Sequence, residues 1–449
     1  MAATDLARAG ATPPVRRVHP AWIVAAVAFV ALLGAAGFRA APGVLMVPLH
    51  DEYGWSRSVM SFAVGVNLVL FGVTAPFAAA LMDRFGIRAV TSAALVLIAA
   101  GSALTVVMTA SWQLILLWGV LIGLGTGSMA LVFAATIANR WFVARRGLVM
   151  GVLTAGSATG QLIFLPVLAA LADSAGWRWA SLVIAAAALL VVPLVLTFVR
   201  DYPADRGVDA YGADPAATVT ARLPRTPGAA RHALGALGAA ARTRTFWALA
   251  GGFAICGATT NGLVGIHFIP SAHDHGMAET TAAGLLAVVG VFDIVGTIAS
   301  GALTDRIDPR LLLAGYYAFR GVGLLLLPAL LSDSVHPSTV LFVVVYGLDW
   351  VATVPPTVAL CREAFGEAGT IVFGWVYASH QIGAAIAAFT AGVIRDTTGT
   401  YSIAWFGAAG LCAVAAVVSL GVARGATPAA RPARPVPEEE DLAAHQAPM

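Results

Sequence analysis

Ala79-Ala80-Leu81-Met82-Asp83-Arg84-Phe85-Gly86-Ile87-Arg88 and, 222 positions later, Gly301-Ala302-Leu303-Thr304-Asp305-Arg306-Ile307-Asp308-Pro309-Arg310 decide how this chain is built. Each stretch follows an apolar run of membrane-spanning length and precedes another. In both, an Asp-Arg pair is followed four residues later by a second arginine. A charged turn repeated at one register between apolar runs marks a duplicated chain embedded in lipid. The register extends further: Gly54 maps onto Gly276, Arg140 onto Arg362 and Arg39 onto Asn261.

Composition agrees with a lipid-facing surface. The chain is 59% hydrophobic and 11% charged, with mean hydropathy +0.84, whereas soluble domains carry about 25% charged residues. All 26 basic residues are arginine. The lack of lysine excludes Schiff-base chemistry and a P-loop lysine. A dispersed net charge of +3 does not suit nucleic acid. Cys256, Cys361 and Cys412 lie in apolar runs without a CxxC neighbour, so neither zinc nor a disulfide framework is indicated. No metal, cofactor or ATP-binding motif is present, and no nucleophile–base constellation suggests an enzyme.

A span needs about 20 apolar residues to cross about 30 Å of hydrocarbon. Twelve such runs are legible, at 21–48, 57–81, 88–110, 112–138, 147–172 and 178–199, then 246–270, 279–303, 310–331, 336–361, 369–393 and 400–423. The expected architecture is an all-α membrane protein of two six-helix bundles, 21–199 and 246–423. A cytoplasmic tail (1–20), a cytoplasmic linker (200–245) and a disordered cytoplasmic tail (424–449) complete it. The first run is far longer than the 7–15-residue core of a signal peptide. Arginine sets the orientation. With the N-terminus inside, only Arg57, Arg178 and Arg395 fall in outer loops, and Arg39 and Arg320 fall inside spans. All the others are cytoplasmic, so both termini are expected inside.

The two charged turns resemble the signature loop of the major facilitator superfamily, G-x-L-x-D-R-x-G-x-R. The first copy has Ala79 for the opening glycine, and the second has Asp308-Pro309 for the later one. The resemblance implies a twelve-helix transporter, with Asp83, Arg84, Arg88, Asp305, Arg306 and Arg310 as gating residues. Tyr53-Gly54-Trp55-Ser56-Arg57-Ser58, Asn139-Arg140-Trp141-Phe142 and Arg145-Arg146-Gly147 with Gly151 are similar to the bacterial branch of the monocarboxylate and oxalate/formate transporters. Two features of that branch differ. Animal monocarboxylate carriers have an Asp and an Arg four apart in span 8, where this chain has Asp293 and Thr297; the oxalate exchanger's span-11 lysine has no counterpart.

Four formal charges lie near mid-span: Arg39, Asp293, Arg320 and Asp349. An ionisable group at the bilayer centre costs about 2.5–3.5 kcal/mol on insertion scales, so such groups face a cavity or a partner. Their charges sum to zero, which permits full pairing. Arg39, halfway along span 1 and followed by Pro42-Gly43, reads either as a bidentate grip on a substrate carboxylate or as a structural partner. Asn261 holds the equivalent place in the other half. Asp293 is a candidate proton carrier, and Asp349 a candidate for proton or substrate. Arg320 reads as a structural partner of Asp349 or Asp293. Gln161, His380 and Gln381 are further substrate-binding candidates, each equally suited to a helix–helix hydrogen bond. His267, His273 and His275, at the outer end of span 7, read as solvated.

These readings lead to a multi-pass transporter of the bacterial inner membrane, monomeric and in contact with lipid. It would move a small organic anion, preferably a monocarboxylate, by proton symport or exchange. The alternatives are a proton-driven exporter of amphipathic compounds, disfavoured because span 5 lacks the Gly-Pro pair of drug exporters, and a non-transporting membrane sensor.

Overall fold

A computed structural model describes residues 18–129, 131–213 and 229–422. The side chains at 39–40, 76, 79–80, 131–132, 147, 154–155, 157–163, 229–230, 232 and 367 lie outside the described set, so the side-chain expectations for Arg39 and Gln161 fall outside it.

Among the described residues the chain forms twelve long helical spans, numbered 1 to 12. The first six are Pro20–Tyr53, Arg57–Phe85, Ile87–Thr105, Ser111–Trp141, Arg146–Ala175 and Trp177–Phe198. The second six are Arg244–Asp274, Glu279–Thr304, Pro309–Leu330, Pro337–Phe365, Gly369–Thr398 and Ser402–Leu420. Their apolar side chains are left outward as a lipid-facing coat: Leu190, Ile298 and Val417 are each 70% exposed.

Local chemistry sets the ends. Pro20 opens span 1, with the His19 ring accepting the Ala21 N–H, and Pro309 opens span 9 behind an Asp308 cap. Proline suits this first position because its missing N–H would be unpaired there in any case. Gly54 ends span 1 at φ +67° and Gly86 turns the chain between spans 2 and 3 at φ +91°. Both lie in the left-handed region that glycine enters without steric cost.

Spans 4 and 10 are both interrupted, the second at the helix-breaking pair Pro355-Pro356 that the sequence places within it. Span 4 is helical over Ser111–Ser128, with a π-helical stretch at Ile115–Ile122, turns at Met129 and resumes over Leu131–Trp141. Span 10 runs over Pro337–Asp349, turns, and resumes over Val354–Phe365. The two interruptions coincide in the repeat, since Met129 maps onto Val351. Pro355 and Pro356 bring no N–H to the second, which frees carbonyls that other groups must satisfy.

Glycine lets several helices touch at the backbone. A Cβ at Gly257 of span 7 would lie 1.8 Å from the His380 carbonyl oxygen of span 11, and one at Gly296 of span 8 would lie 1.8 Å from that of Leu348 in span 10. Spans 2 and 11 run antiparallel along one seam between the halves. Going inward it comprises Arg57 and Ser58 at Asp396, Phe62 on Phe389, Gly65 at Ala385, Gly72 at Gln381 and Phe77 on Trp375.

The linker straps the cytoplasmic face. Asp201 accepts the Arg88 N–H at 3.1 Å, Tyr202 lies under Arg140, and Tyr211 bridges to Phe142. A linker helix, Ala229–Ala240, packs on spans 2 and 11. Its Ala233 carbonyl accepts the Trp375 indole N–H at 2.9 Å.

Candidate functional site

The interruption of span 10 gathers three of the four intramembrane charges. Arg320 of span 9 is 1% exposed and donates through Nε to Asp349 Oδ2 at 2.6 Å. Its Nη2 donates to the Asp349 carbonyl at 2.6 Å and to that of Trp350 at 3.3 Å. Its Nη1 reaches Cys256 Sγ at 3.0 Å and Thr259 Oγ1 at 3.4 Å, both on span 7. One guanidinium thus neutralises a carboxylate, satisfies two carbonyls freed by the bend and ties three helices together. Cys256 also lies 3.2 Å from Thr353 Oγ1 in the bend.

Asp293 of span 8 approaches the same bend from its amide side. Its Oδ1 accepts the Val351 N–H at 3.1 Å and the Thr297 hydroxyl at 3.0 Å. Among the described residues it forms no ion pair, although it is only 9% exposed. Thr297 stands where the animal carriers place arginine, and here it supplies a hydroxyl. Asp349 keeps one oxygen, Oδ1, buried without a hydrogen bond among the described residues.

Asn261 lies in the π-helical stretch Ala258–Val264 of span 7. Its half-buried amide has no hydrogen bond among the described residues. Gln381 is fully buried against Gly72 across the seam, with both amide atoms unbonded among the described residues. A buried unpaired amide is costly and calls for an occupant, a water or another conformational state. His380 is buried in an aromatic stack, 5.7 Å from the Tyr377 ring and 4.9 Å from that of Phe253. A cavity beside Pro42 is lined by Phe38, Val64, Asn67, Trp118 and Ile266. Asn67 donates to the Trp118 carbonyl at 2.7 Å, a helix–helix bond.

The two charged turns differ. Asp83 forms an ion pair with Arg140 at the end of span 4, while Arg84 covers the Phe85 ring and Arg88 is exposed with its amide on Asp201. In the second copy, Asp305 and Arg306 are exposed. Arg310 instead pairs with Asp308 of its own turn and reaches the Val422 carbonyl.

His267 departs from the expectation of a solvated residue. It is fully buried, with Nε2 2.8 Å from the Ala388 carbonyl and Nδ1 3.2 Å from Tyr401 Oη. The position near a span end suggested solvent, but its partners come from spans 11 and 12. His273 and His275 are exposed.

The sequence profile of the Major Facilitator Superfamily matches residues 27–373. The chain belongs to that superfamily. Among its relatives within it, the uncharacterized MFS-type transporter YcxA of Bacillus subtilis is 24% identical over 85% of this chain and 90% of its own length. Monocarboxylate transporter 11 of Mus musculus is 29% identical, over 85% and 82%, and monocarboxylate transporter 13 of Rattus norvegicus is 27% identical, over 85% and 84%. The fold matches the inward-open xylose transporter XylE of E. coli, with TM-score 0.67 at 14% identity over 91% of this chain and 98% of that one. It also matches a bacterial homologue of the human lysosomal transporter Spinster, inward-facing and unoccupied, at 0.68 and 16% over 92% and 96%. The superfamily fold makes the chain a multi-pass membrane transporter.

Proposed function

We propose that this transporter moves a small monocarboxylate across the bacterial inner membrane by alternating access, coupled to a proton. One observation carries the coupling: Asp293 is buried, forms no ion pair among the described residues, and holds the Val351 N–H at the bend of span 10. The substrate class draws on the relatives named as monocarboxylate transporters, with Arg39 and Asn261 at equivalent register in spans 1 and 7.

Arg320 is committed to Asp349, and in this reading the proton acts on the bend of span 10. A carboxylate accepts the Val351 N–H strongly, since charge-assisted bonds are about twice as strong as neutral ones. Protonation weakens that bond and frees the bend of span 10 to change shape once the anion is aboard. Anion and proton together cross as a neutral load.

Asp293→Asn fixes the neutral form. In proteoliposomes it is expected to lose lactate or pyruvate accumulation driven by a pH gradient and to retain counterflow of the same substrate. Gradient-driven accumulation at the parent level would remove Asp293 from the coupling.

A further inference from the structure

The motif Tyr53-Gly54-Trp55-Ser56-Arg57-Ser58 fixes the outer end of span 2. Gly54 closes span 1, the Tyr53 ring stacks on Trp55 at 4.5 Å, and the Tyr53 hydroxyl donates to the Met108 carbonyl at 3.0 Å. Ser56 caps span 2 by accepting the Val59 N–H at 3.4 Å. The first two amides of the helix, those of Arg57 and Ser58, remain to be satisfied.

Their acceptor comes from the other half. Asp396, in the last turn of span 11, accepts the Arg57 N–H through Oδ1 at 3.0 Å and the Ser58 N–H through Oδ2 at 2.8 Å. A carboxylate is disfavoured at the C-terminal end of its own helix and favoured at the N-terminal end of another. Asp396 breaks the rule for span 11 in order to satisfy it for span 2. One turn inward the helices touch: a Cβ at Gly392 would lie 2.8 Å from Ser61 Oγ and 2.9 Å from the Arg57 carbonyl. Below that, Ser61 Oγ lies 3.4 Å from Nε2 of the buried His267. Tyr401 Oη lies 3.2 Å from the other ring nitrogen, His267 Nδ1.

The repeat shows that the arrangement is one-sided. Ser56 maps onto Ala278, which begins span 8 without a side-chain cap. Asp396 maps onto Ser174, whose hydroxyl is turned back onto the Ala170 carbonyl of its own helix. The duplicated scaffold offers two outer seams and carries this carboxylate bridge on one.

We propose that Asp396 is the outer-gate residue of this transporter. It holds the outer ends of spans 2 and 11 together by capping span 2, and it releases them when the protein opens outward. At the cytoplasmic end, Asp83 pairs with Arg140 within the first half, so among the described residues the aspartate that bridges the seam is at its outer end.

The test needs no substrate, so it stands or falls separately from the monocarboxylate reading. Ser61→Cys places a thiol in the closed seam, and its labelling by a membrane-impermeant maleimide added from outside reports opening. The parent chain, with its three buried cysteines, gives the blank. Adding Asp396→Ala is expected to raise the labelling rate about tenfold, in line with two charge-assisted bonds lost. Asp396→Asn, which keeps one acceptor oxygen, is expected to give a smaller rise. Gly392→Val wedges the same seam sterically and checks that the thiol reports opening. Fast labelling with Gly392→Val, but the parent rate with both Asp396 variants, would overturn the assignment.

Discussion

Spans 4 and 10 bend at the same place in the repeat, and opposite chemistry holds the two bends. Around span 10 stand Asp293, Arg320 and Asp349. The positions that map onto them are Phe71, Ile98 and Gly127. Gly127 packs on Phe71, and the neighbouring Gly125 packs on Ile98. One half thus holds its bend by close packing of glycine against apolar side chains. The other holds it with a salt bridge, two bonded carbonyls and a carboxylate on an amide. Duplication preserved the hinge, and of these three pairs of positions only the C-terminal copy carries ionisable side chains.

Breaking the ion pair is expected to have the largest effect. Asp349→Ala strands a buried guanidinium, at a cost of about 3–5 kcal/mol. Thermal unfolding of the purified protein in detergent should show a large drop. Combining it with Arg320→Met recreates the apolar solution of the other half and should restore part of the loss, because a buried pair is often replaceable by hydrophobic packing. A double variant as unstable as the single one would mean that the bonds to the bend's carbonyls outweigh the pair.

The apolar bend should fail by crowding. A Cβ at Gly127 would lie 2.9 Å from the Phe71 Cα and 3.0 Å from the Thr74 Cβ. Gly127→Ala is therefore expected to lower stability by about 1–3 kcal/mol. An unchanged melting temperature would show that span 4 yields at its turn, making the two bends less alike than their register suggests.

The smallest stability effect belongs to the carboxylate at the amide. Asp293→Ala removes one acceptor from Val351 and should cost about 1 kcal/mol, the usual worth of a helix cap. Asp293→Asn should cost less, since its amide oxygen still accepts. A loss as large as that of Asp349→Ala would make Asp293 a structural anchor and weaken its place in proton coupling.

The twelve spans, the duplication and the membership of Arg320 in a structural pair were all legible, because apolar length, fixed register and charge balance are properties of the chain itself. The bends were partly legible: Pro355-Pro356 announces the second, while the first carries no proline and is visible only through its counterpart. His267 was misread because its acceptor and its donor lie 121 and 134 positions away. Asp396 was unreadable for the same reason. Beside Arg395 at the end of a span it looks like solvated charge, and only the packing of span 11 on span 2 gives it two amides to hold.

The seam between spans 2 and 11 is also a lever. Between the Ser61–Gly392 contact and the Phe77–Trp375 contact, span 2 advances about 24 Å at 1.5 Å per residue. Near the middle of that length Gly65 and Gly72 meet span 11 without side-chain bulk, a Cβ there lying 3.4 Å from the Ala385 carbonyl oxygen and 2.7 Å from the Gln381 Cβ. With the fulcrum there, a relative tilt of about 15° parts one end by about 3 Å, the width of a water molecule, and presses the other end together. The two mouths of the pathway are then exclusive by the stiffness of a rod, and no signal has to travel between them.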